Sequence, residues 1–470
     1  MNIRTLPFFA AAGIALMPAS CSFAPAYQKP GTDIAATYKE SGHWQAATPL
    51  DHLDRGDWWR GYHDSTLDSL EARLDAANPG LAAAFAHYAQ ARAFLAQTRS
   101  GLFPELDANS LNTANRQSDE RPLRSASQPA DYKDNSLGAA LSYEVDLWGR
   151  VHNFVTAGTA DTQAAAAELA SARLSLHAEL ANEYITIRGL DAQEKLLTDT
   201  VSAYEHALQV TQSRLEGGGS SGLDVARART QLEKARAATT DVRADRALRE
   251  HAIASLVGVS ASKFSLLPQV VELPLPSIPT SVPSVLLERR PDIAAAERRT
   301  AAANAMIGVA RAAFYPKITL GGTGGFENSG GAGWLTAPNA FWAIGPKVNL
   351  SLFDAGKRRA VDRQAQAAFE EAADKYRSTT LAAFQQVEDN LALLRLLGEE
   401  ANQESAAVSS AAKTLSLAMD RYNNGAVNYL EVVDSQTSAL QAQRTLLVLR
   451  DRQLRASVGL IRALGGGWRS

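Results

Sequence analysis

The sequence predicts a mixed, mainly α fold built from two pseudo-repeats, each holding a strand pair and a long helical hairpin. Three observations predict it. First, landmarks recur in order along the 470 residues. Arg214-Leu-Glu-Gly-Gly-Gly-Ser-Ser-Gly-Leu223-Asp224 returns as Arg421-Tyr-Asn-Asn-Gly-Ala-Val-Asn-Tyr-Leu430-Glu431 after 207 residues without a gap, and Gly149 returns as Gly356 at the same interval. Asn78-Pro79 pairs with Arg290-Pro291, and Phe103-Pro104 with Tyr315-Pro316, both after 212 residues. A unit this long is not a solenoid repeat and points to pseudo-symmetry inside one assembly. Second, the stretches 155–215 and 360–421 lack proline entirely. Third, period-two alternation of apolar and polar residues appears in both copies.

The first helix opens at Asn78-Pro79, with Asn as cap and Pro at the first helical position, and runs to about Ser100. Its counterpart starts at Pro291, where Asp292 complements the helix dipole, and runs to about Ala313. Strands follow each proline landmark. Leu137, Ala139, Leu141, Tyr143, Val145 and Leu147 alternate with small or polar residues. In the second copy Trp342, Ile344, Pro346, Val348, Leu350 and Leu352 do the same. Lys317 to Glu327 alternates as well, whereas Glu105 to Arg116 is assigned as a strand mainly by its repeat partner. Such strands fit a transmembrane barrel with a wet lumen or a soluble antiparallel sheet over a core. A secretion signal favours the barrel.

Two very long helices follow each strand pair. Leu176, Leu180, Tyr184, Ile187, Leu190, Leu197, Val201, Tyr204, Leu208 and Leu215 are spaced as a coiled-coil-like seam. Sixty residues of helix reach about 90 Å. The repeated Gly-containing turn then reverses the chain, and Asp224 or Glu431 falls in the first turn of the return helix. Between the copies, Leu267 to Pro283 holds five prolines and reads as an extended linker. Residues 21–61 read as irregular, anchored by Trp58-Trp59.

Bulk composition narrows the function. With 46% apolar residues the chain can bury a large core, while aromatic residues at 7% suit long helices. A net charge of −3 and the lack of a basic run give no reason to expect nucleic acid as a partner. A single cysteine excludes an internal disulfide framework and a Cys-based zinc site. That cysteine is Cys21. A positive start and an apolar run from Leu6 to Met17 precede it, which is a secretory signal too short to span a bilayer. Pro18-Ala19-Ser20-Cys21 resembles a lipoprotein box, with Met17 and Pro18 where Leu is usual. Cys21 is then the acylated mature N-terminus, or else the signal is cleaved nearby and Cys21 is incidental. Ser22 resembles the signal for outer-membrane sorting. No segment has eighteen consecutive apolar residues, so any span must use strands, and four strands cannot close a barrel alone.

The motifs carry a family resemblance. Arg290-Pro-Asp-Ile293 leads into an Ala-rich helix and Phe-Tyr315-Pro-Lys-Ile-Thr-Leu320. The Arg421-Tyr-x-x-Gly-x-x-x-Tyr-Leu-x-x-x-Asp434 pattern follows, and the chain closes on Ala463-Leu-Gly-Gly-Gly-Trp468. With the lipoprotein box, this resembles the TolC-type outer-membrane efflux ducts, in the NodT-like lipoprotein branch. The resemblance covers about Cys21 to Trp468. It implies a homotrimer with a twelve-stranded transmembrane barrel, four strands per chain, continued by a periplasmic α-helical barrel with an equatorial belt. It also implies an outer-membrane location, lipid-anchored and barrel-spanning, with a periplasmic adaptor and an inner-membrane efflux pump as partners. The expected division is 1–20 signal peptide, 21–65 acylated segment, 66–262 first repeat, 263–283 linker, 284–465 second repeat and 466–470 tail.

By that resemblance, Arg421 and Asp434, thirteen residues apart, help hold the periplasmic end shut. The alternative is a solvated pair contributing under about 1 kcal/mol. Tyr422 lines the same constriction or simply packs. Gly217, Gly218, Gly219, Ser220 and Gly222 in the first turn, with Asn424, Gly425 and Val427 in the second, are the expected adaptor-contact tips. They are also reversals that need positive φ. Gly218-Gly-Ser220-Ser-Gly222 matches a nucleophile elbow, yet helices flank both sides where that motif needs a strand first. The eight histidines lack ligand spacing and read as surface or packing groups. No nucleophile, base and orienter assemble, so neither an enzyme nor a cofactor is expected. The reading is therefore a passive export duct for small molecules. The rival is a periplasmic coiled-coil scaffold or adaptor without a channel.

Overall fold

A computed structural model describes residues 22–32, 38–40, 56–123, 125, 127–276, 278, 290–330 and 333–466. The signal peptide, Cys21 and residues 467–470 of the tail lie outside the described residues. The elements are α1 (Ser65–Ala77), α2 (Pro79–Ser100), β1 (Glu105–Arg116), β2 (Asp131–Glu144), α3 (Arg150–Glu216) and α4 (Gly222–Leu256). After the linker come α5 (Pro291–Ala312), β3 (Lys317–Asn328), β4 (Ala340–Asn349), α6 (Lys357–Asn423) and α7 (Tyr429–Ala463). Both long helices, α3 and α6, have 67 residues, and both return helices have 35. At 1.5 Å per residue the long ones extend about 100 Å each.

The chain divides into two compact units, each drawing on both repeats. The first takes residues 1–29, 90–162 and 298–373. It holds one antiparallel sheet in the order β1-β2-β3-β4. Register fixes which side chains share a face, because cross-strand partners point the same way. Leu106 pairs with Leu141, Leu141 with Gly322, and Gly322 with Ile344. The face so defined carries Leu137, Tyr143, Ile318, Leu320, Phe326, Trp342 and Val348. The opposite face carries Asp107, Asn109, Ser142, Glu144, Lys317, Thr319, Thr323 and Lys347. Trp342 and Ile344 are 79% and 77% exposed, so the apolar face is not covered by the chain itself. Gly325 sits where an added Cβ would lie 2.3 Å from the Leu137 carbonyl oxygen, a close approach that only glycine permits.

Two strand boundaries differ from those read in the sequence. β2 starts at Asp131, not Leu137, and ends at Glu144. Its polar opening, Asp-Tyr-Lys-Asp-Asn-Ser, hides the alternation, but Arg116 pairs with Asp131 and draws it into the ladder. β4 is Ala340–Asn349 rather than reaching Leu352, since the chain turns at Ala355 and Gly356, both with positive φ. At the strand ends Glu144 accepts from Arg150 at 2.6 and 2.8 Å and pairs with Lys317 at 3.0 Å. The N-terminal residues join this unit. Phe23 stacks on Tyr315 at 4.4 Å, Tyr315 stacks on Trp148 at 4.9 Å, and Trp148 donates to the Pro316 carbonyl at 2.8 Å.

The second unit takes residues 30–89, 163–297 and 374–470. Its main core joins Trp59 and Tyr62, Leu67, Leu70 and Leu74 of α1, Leu180, Tyr184 and Ile187 of α3, Ile253 of α4, and Val458 of α7. The Tyr62 hydroxyl is 2.6 Å from the Ser457 hydroxyl. Helix α1 is an element the sequence reading missed. Asp64 caps it, accepting from Thr66 and Leu67 at 2.8 and 3.0 Å, and its apolar residues recur at helical spacing. Asn78 then ends α1 and caps α2, its Oδ1 accepting from Leu81 N–H at 2.9 Å while its amide donates to the Leu256 carbonyl at 2.7 Å. The α3 seam is buried at Leu180, Tyr184, Ile187, Leu190, Leu197 and Tyr204, and becomes exposed at Leu215.

The linker is pinned by a buried ion network. Asp191 accepts from Arg188 at 2.8 Å, from Arg246 at 2.6 Å and from the Gln269 N–H at 2.9 Å. Arg246 donates to the Leu266 carbonyl at 2.7 Å, Arg188 to that of Leu267 at 3.0 Å, and Glu250 accepts from Leu266 N–H at 3.0 Å. The charges are paired and further hydrogen-bonded, as buried ions require.

Candidate functional site

The two repeated turns lie in the second unit, at the α3–α4 and α6–α7 junctions. Their backbones are copies of one another. Gly217 N–H donates to Ser213, Gly218 to Leu215, and Gly219 to Arg214. In the other turn Asn424 donates to Asp420, Gly425 to Tyr422, and Ala426 to Arg421. Gly218 and Gly425 have φ of 79° and 75°, the left-handed residue on which such helix ends close. The return helices are capped differently. Ser221 forms a capping box with Asp224, whereas Asn428 accepts from Leu430 N–H at 3.1 Å. At the first tip Gly217, Gly218, Gly219 and Gly222 are exposed and Ser220 is half-buried. At the second, Asn424 and Gly425 are exposed, while Val427 packs against the hairpin core.

Side chains break the symmetry. Arg421 pairs within the chain to Glu431 at 2.7 Å, with 57% and 42% of the two side chains exposed. Asp434, the partner suggested by the thirteen-residue spacing, is exposed one turn further along α7 and makes no ion pair within the described residues. Glu431 is the acidic residue sequence reading assigned only to the helix dipole. Tyr422 is 5% exposed. Its ring meets Tyr429 edge-on at 5.2 Å, inside a cluster with Ala228 and Val432. The packing alternative therefore describes Tyr422 within one chain. Above that ring lies Arg214, with its guanidinium carbon 4.6 Å from the ring centroid and Nη1 donating to the Tyr422 carbonyl at 2.5 Å.

A second polar cluster escaped the sequence reading. His177 of α3 places Nδ1 2.6 Å from Glu71 and Nε2 3.1 Å from Asp75, both on α1, and Arg173 grips Asp75 at 2.9 and 2.6 Å. Trp59 stacks on the imidazole at 4.5 Å. Burial raises the Glu71 carboxyl to about 7, against the opposing pull of His177. This cluster borders an open cavity of about 1100 Å³ lined by Trp58, Phe85 and Leu169 among others. It holds the Trp58–Tyr62 turn and α1 on α3, a packing role for this histidine.

The sheet and the paired turns are the setting for the comparisons with known proteins. Residues 72–259 and 282–466 match the outer membrane efflux protein family. The chain belongs to that family. The toluene efflux pump outer membrane protein TtgF of Pseudomonas putida is 33% identical over 457 residues, covering 95% of this chain and 94% of that protein. The outer membrane protein OprJ of Pseudomonas aeruginosa is 31% identical, covering 97% of this chain and 95% of OprJ. The open-state MtrE outer membrane channel of Neisseria gonorrhoeae superposes with a TM-score of 0.81 at 26% identity, covering 95% of this chain and 98% of MtrE. The TolC-type fold class read from the sequence therefore stands, mainly helical with four strands per chain of a trimeric barrel. This efflux protein is an outer-membrane channel, the exit duct of an efflux pump, located in the outer membrane and the periplasm. Family membership sets aside the scaffold alternative.

Proposed function

We propose that this efflux protein is a passive duct whose periplasmic end is closed by the α6–α7 tips and opened by a periplasmic adaptor that delivers cargo from an inner-membrane pump. The observation that carries this reading is Asp434. It is an exposed carboxylate with no ion-pair partner among the described residues, one turn beyond the Arg421–Glu431 pair. In a trimer such a carboxylate is placed to meet a cation of a neighbouring copy, and Arg421 is half-exposed beside it. That MtrE is described in an open state supports more than one state for such channels.

The exposed tips at Gly217, Gly218, Gly219, Ser220, Gly222, Asn424 and Gly425 are the adaptor contacts in this reading, with Val427 and Tyr422 supporting the second tip from inside. Cys21 carries the lipid anchor. The Phe23–Tyr315–Trp148 stack supports this, because interfacial aromatic rings of this kind sit at headgroup depth. The division into 1–20, 21–65, 66–262, 263–283, 284–465 and 466–470 describes signal, acylated segment, two repeats, linker and tail. Cargo is assigned as small organic compounds, the class to which the toluene of TtgF belongs. The test is accumulation of a fluorescent apolar compound in cells lacking the protein. Accumulation rises without it and returns to normal on re-expression. Unchanged accumulation contradicts the reading.

A further inference from the structure

We propose that the outer rim of the sheet binds the phosphate groups of an outer-leaflet lipid, with Arg116 and Lys133 as the cations that hold them. The register carries the argument. Helices α2, α3, α5 and α6 connect to the sheet at its Glu105, Glu144, Lys317 and Asn349 ends, so these ends face the periplasm. The opposite ends, joined by residues 117–130 and 329–339, face outward. On the apolar face, Ile318 to Phe326 covers about 27 Å of strand. At the tilt of a membrane barrel, about 40°, that is a band about 20 Å tall. Above the band the face turns polar row by row. Asn112, Asn135 and Asn328 share one row, with Asn135 donating to Asn328 at 3.3 Å. Lys133 stands in the next row, opposite Ala114, and Arg116 in the row beyond, opposite Asp131. The headgroup layer extends about 5–8 Å past the hydrocarbon on each side. Lys133 is therefore at headgroup height, and an arginine stem is long enough to reach it from the row above.

Charge is sorted between the two faces at this end. Toward lipid stand Arg116, Lys133 and Asp131. Toward the lumen stand Asp134, opposite Thr113, and Glu327, opposite Ser136. Both cations of the outer half of the sheet are thus on the lipid side, and the lumen side carries carboxylates only. The loop 117–130 adds two acids and two bases, which cancel, and the loop 329–339 adds no charge. Arg116 and Lys133 are exposed and make no ion pair among the described residues. They are diagonal neighbours across the β1–β2 ladder, about 7 Å apart at the backbone, so one phosphate can accept from both. A guanidinium grips a phosphate with two parallel N–H bonds, and an ammonium adds a point charge. The apolar band below takes the acyl chains of the same lipid, and a trimer presents the cation pair three times around the barrel.

The test is native mass spectrometry of purified full-length trimers titrated with bis-phosphorylated lipid A and with its dephosphorylated form. The wild type is expected to bind the phosphorylated lipid at several-fold lower concentration. Arg116→Gln combined with Lys133→Gln is expected to weaken that binding about fivefold for each cation removed and to erase the preference. Lys347→Gln, which removes a cation from the lumen face, is expected to leave the preference intact. Equal binding of the two lipids by the wild type, or a preference that survives the double substitution, overturns the proposal. Displacement of the lipid by an equal concentration of inorganic phosphate would show a site for the free ion and overturn it as well. Should the double variant not form trimers, Lys133→Gln alone takes its place, with a partial loss of preference expected and an unchanged preference as the overturning result.

Discussion

Arg421 and Glu431 meet at 2.7 Å across the α6–α7 turn, an ion pair inside one chain that leaves Asp434 exposed beside it. Both partners are more than a third exposed, so solvent screening keeps the pair's contribution to stability within about 1 kcal/mol. Glu431→Gln is therefore expected to shift the thermal midpoint of the purified protein only slightly. A large drop would show that the turn depends on this pair.

The sheet makes a sharper prediction. Ile344 lies on the apolar face and its strand neighbour Lys347 on the polar one. Replacing Ile344 with Arg puts a charge toward lipid, costing about 2–4 kcal/mol near the bilayer midplane. Ile344→Arg should reduce the protein recovered in outer membranes, whereas Lys347→Gln should not. Equal recovery would mean the apolar face does not meet lipid.

The α4–α1 junction admits only glycine at one position. Gly258 has φ of 70°, and an added Cβ would lie 2.2 Å from the Ala77 carbonyl oxygen. Gly258→Ala combines backbone strain with that clash and is expected to cost more than about 1 kcal/mol. Thermal unfolding measures it, and an unchanged midpoint would contradict the close approach.

Both ring nitrogens of His177 face carboxylates, at 2.6 Å from Glu71 and 3.1 Å from Asp75. A neutral imidazole has one N–H, so satisfying both contacts requires one further proton on the cluster. The groups facing it are Asp68, Asp75 and Glu71 of α1 with Arg173 of α3, and burial is the main cause that lifts Glu71 to about 7. A folded carboxyl raised above its unfolded value binds its proton more tightly in the native state. Its contribution to stability is complete below the ordinary carboxylate range and is lost as pH rises through about 7. The wild type should lose stability between about pH 5 and about pH 8, and Glu71→Gln should flatten that dependence. A dependence unchanged by Glu71→Gln would place the titration elsewhere.

The sequence announces what is local or repeated. The two turns share their hydrogen bonds because Gly218 and Gly425 stand 207 residues apart in matching strings. Helices without proline, and alternation in β3, are written in single segments. Helix α1 is not, since a short run with three core leucines reads as a helix only once Asp64 is seen to cap it. Strand β1 shows its apolar side only when Leu106 is set against Leu141. The site was legible to the turn and not to the contact. A pattern fourteen residues long names Arg421 and Asp434, while packing places Arg421 on Glu431 and turns Tyr422 inward. Arg214 on Tyr422, and His177 on Glu71 106 residues away, are long-range contacts that no local pattern encodes.

The central claim, a duct shut at its periplasmic end through Asp434, is tested most directly by conductance in planar bilayers for the wild type and Asp434→Ala. Small or flickering wild-type currents that grow in Asp434→Ala are the predicted result. Equal currents in the two proteins would contradict the closure, and no current from either, in folded trimers, would contradict the duct itself.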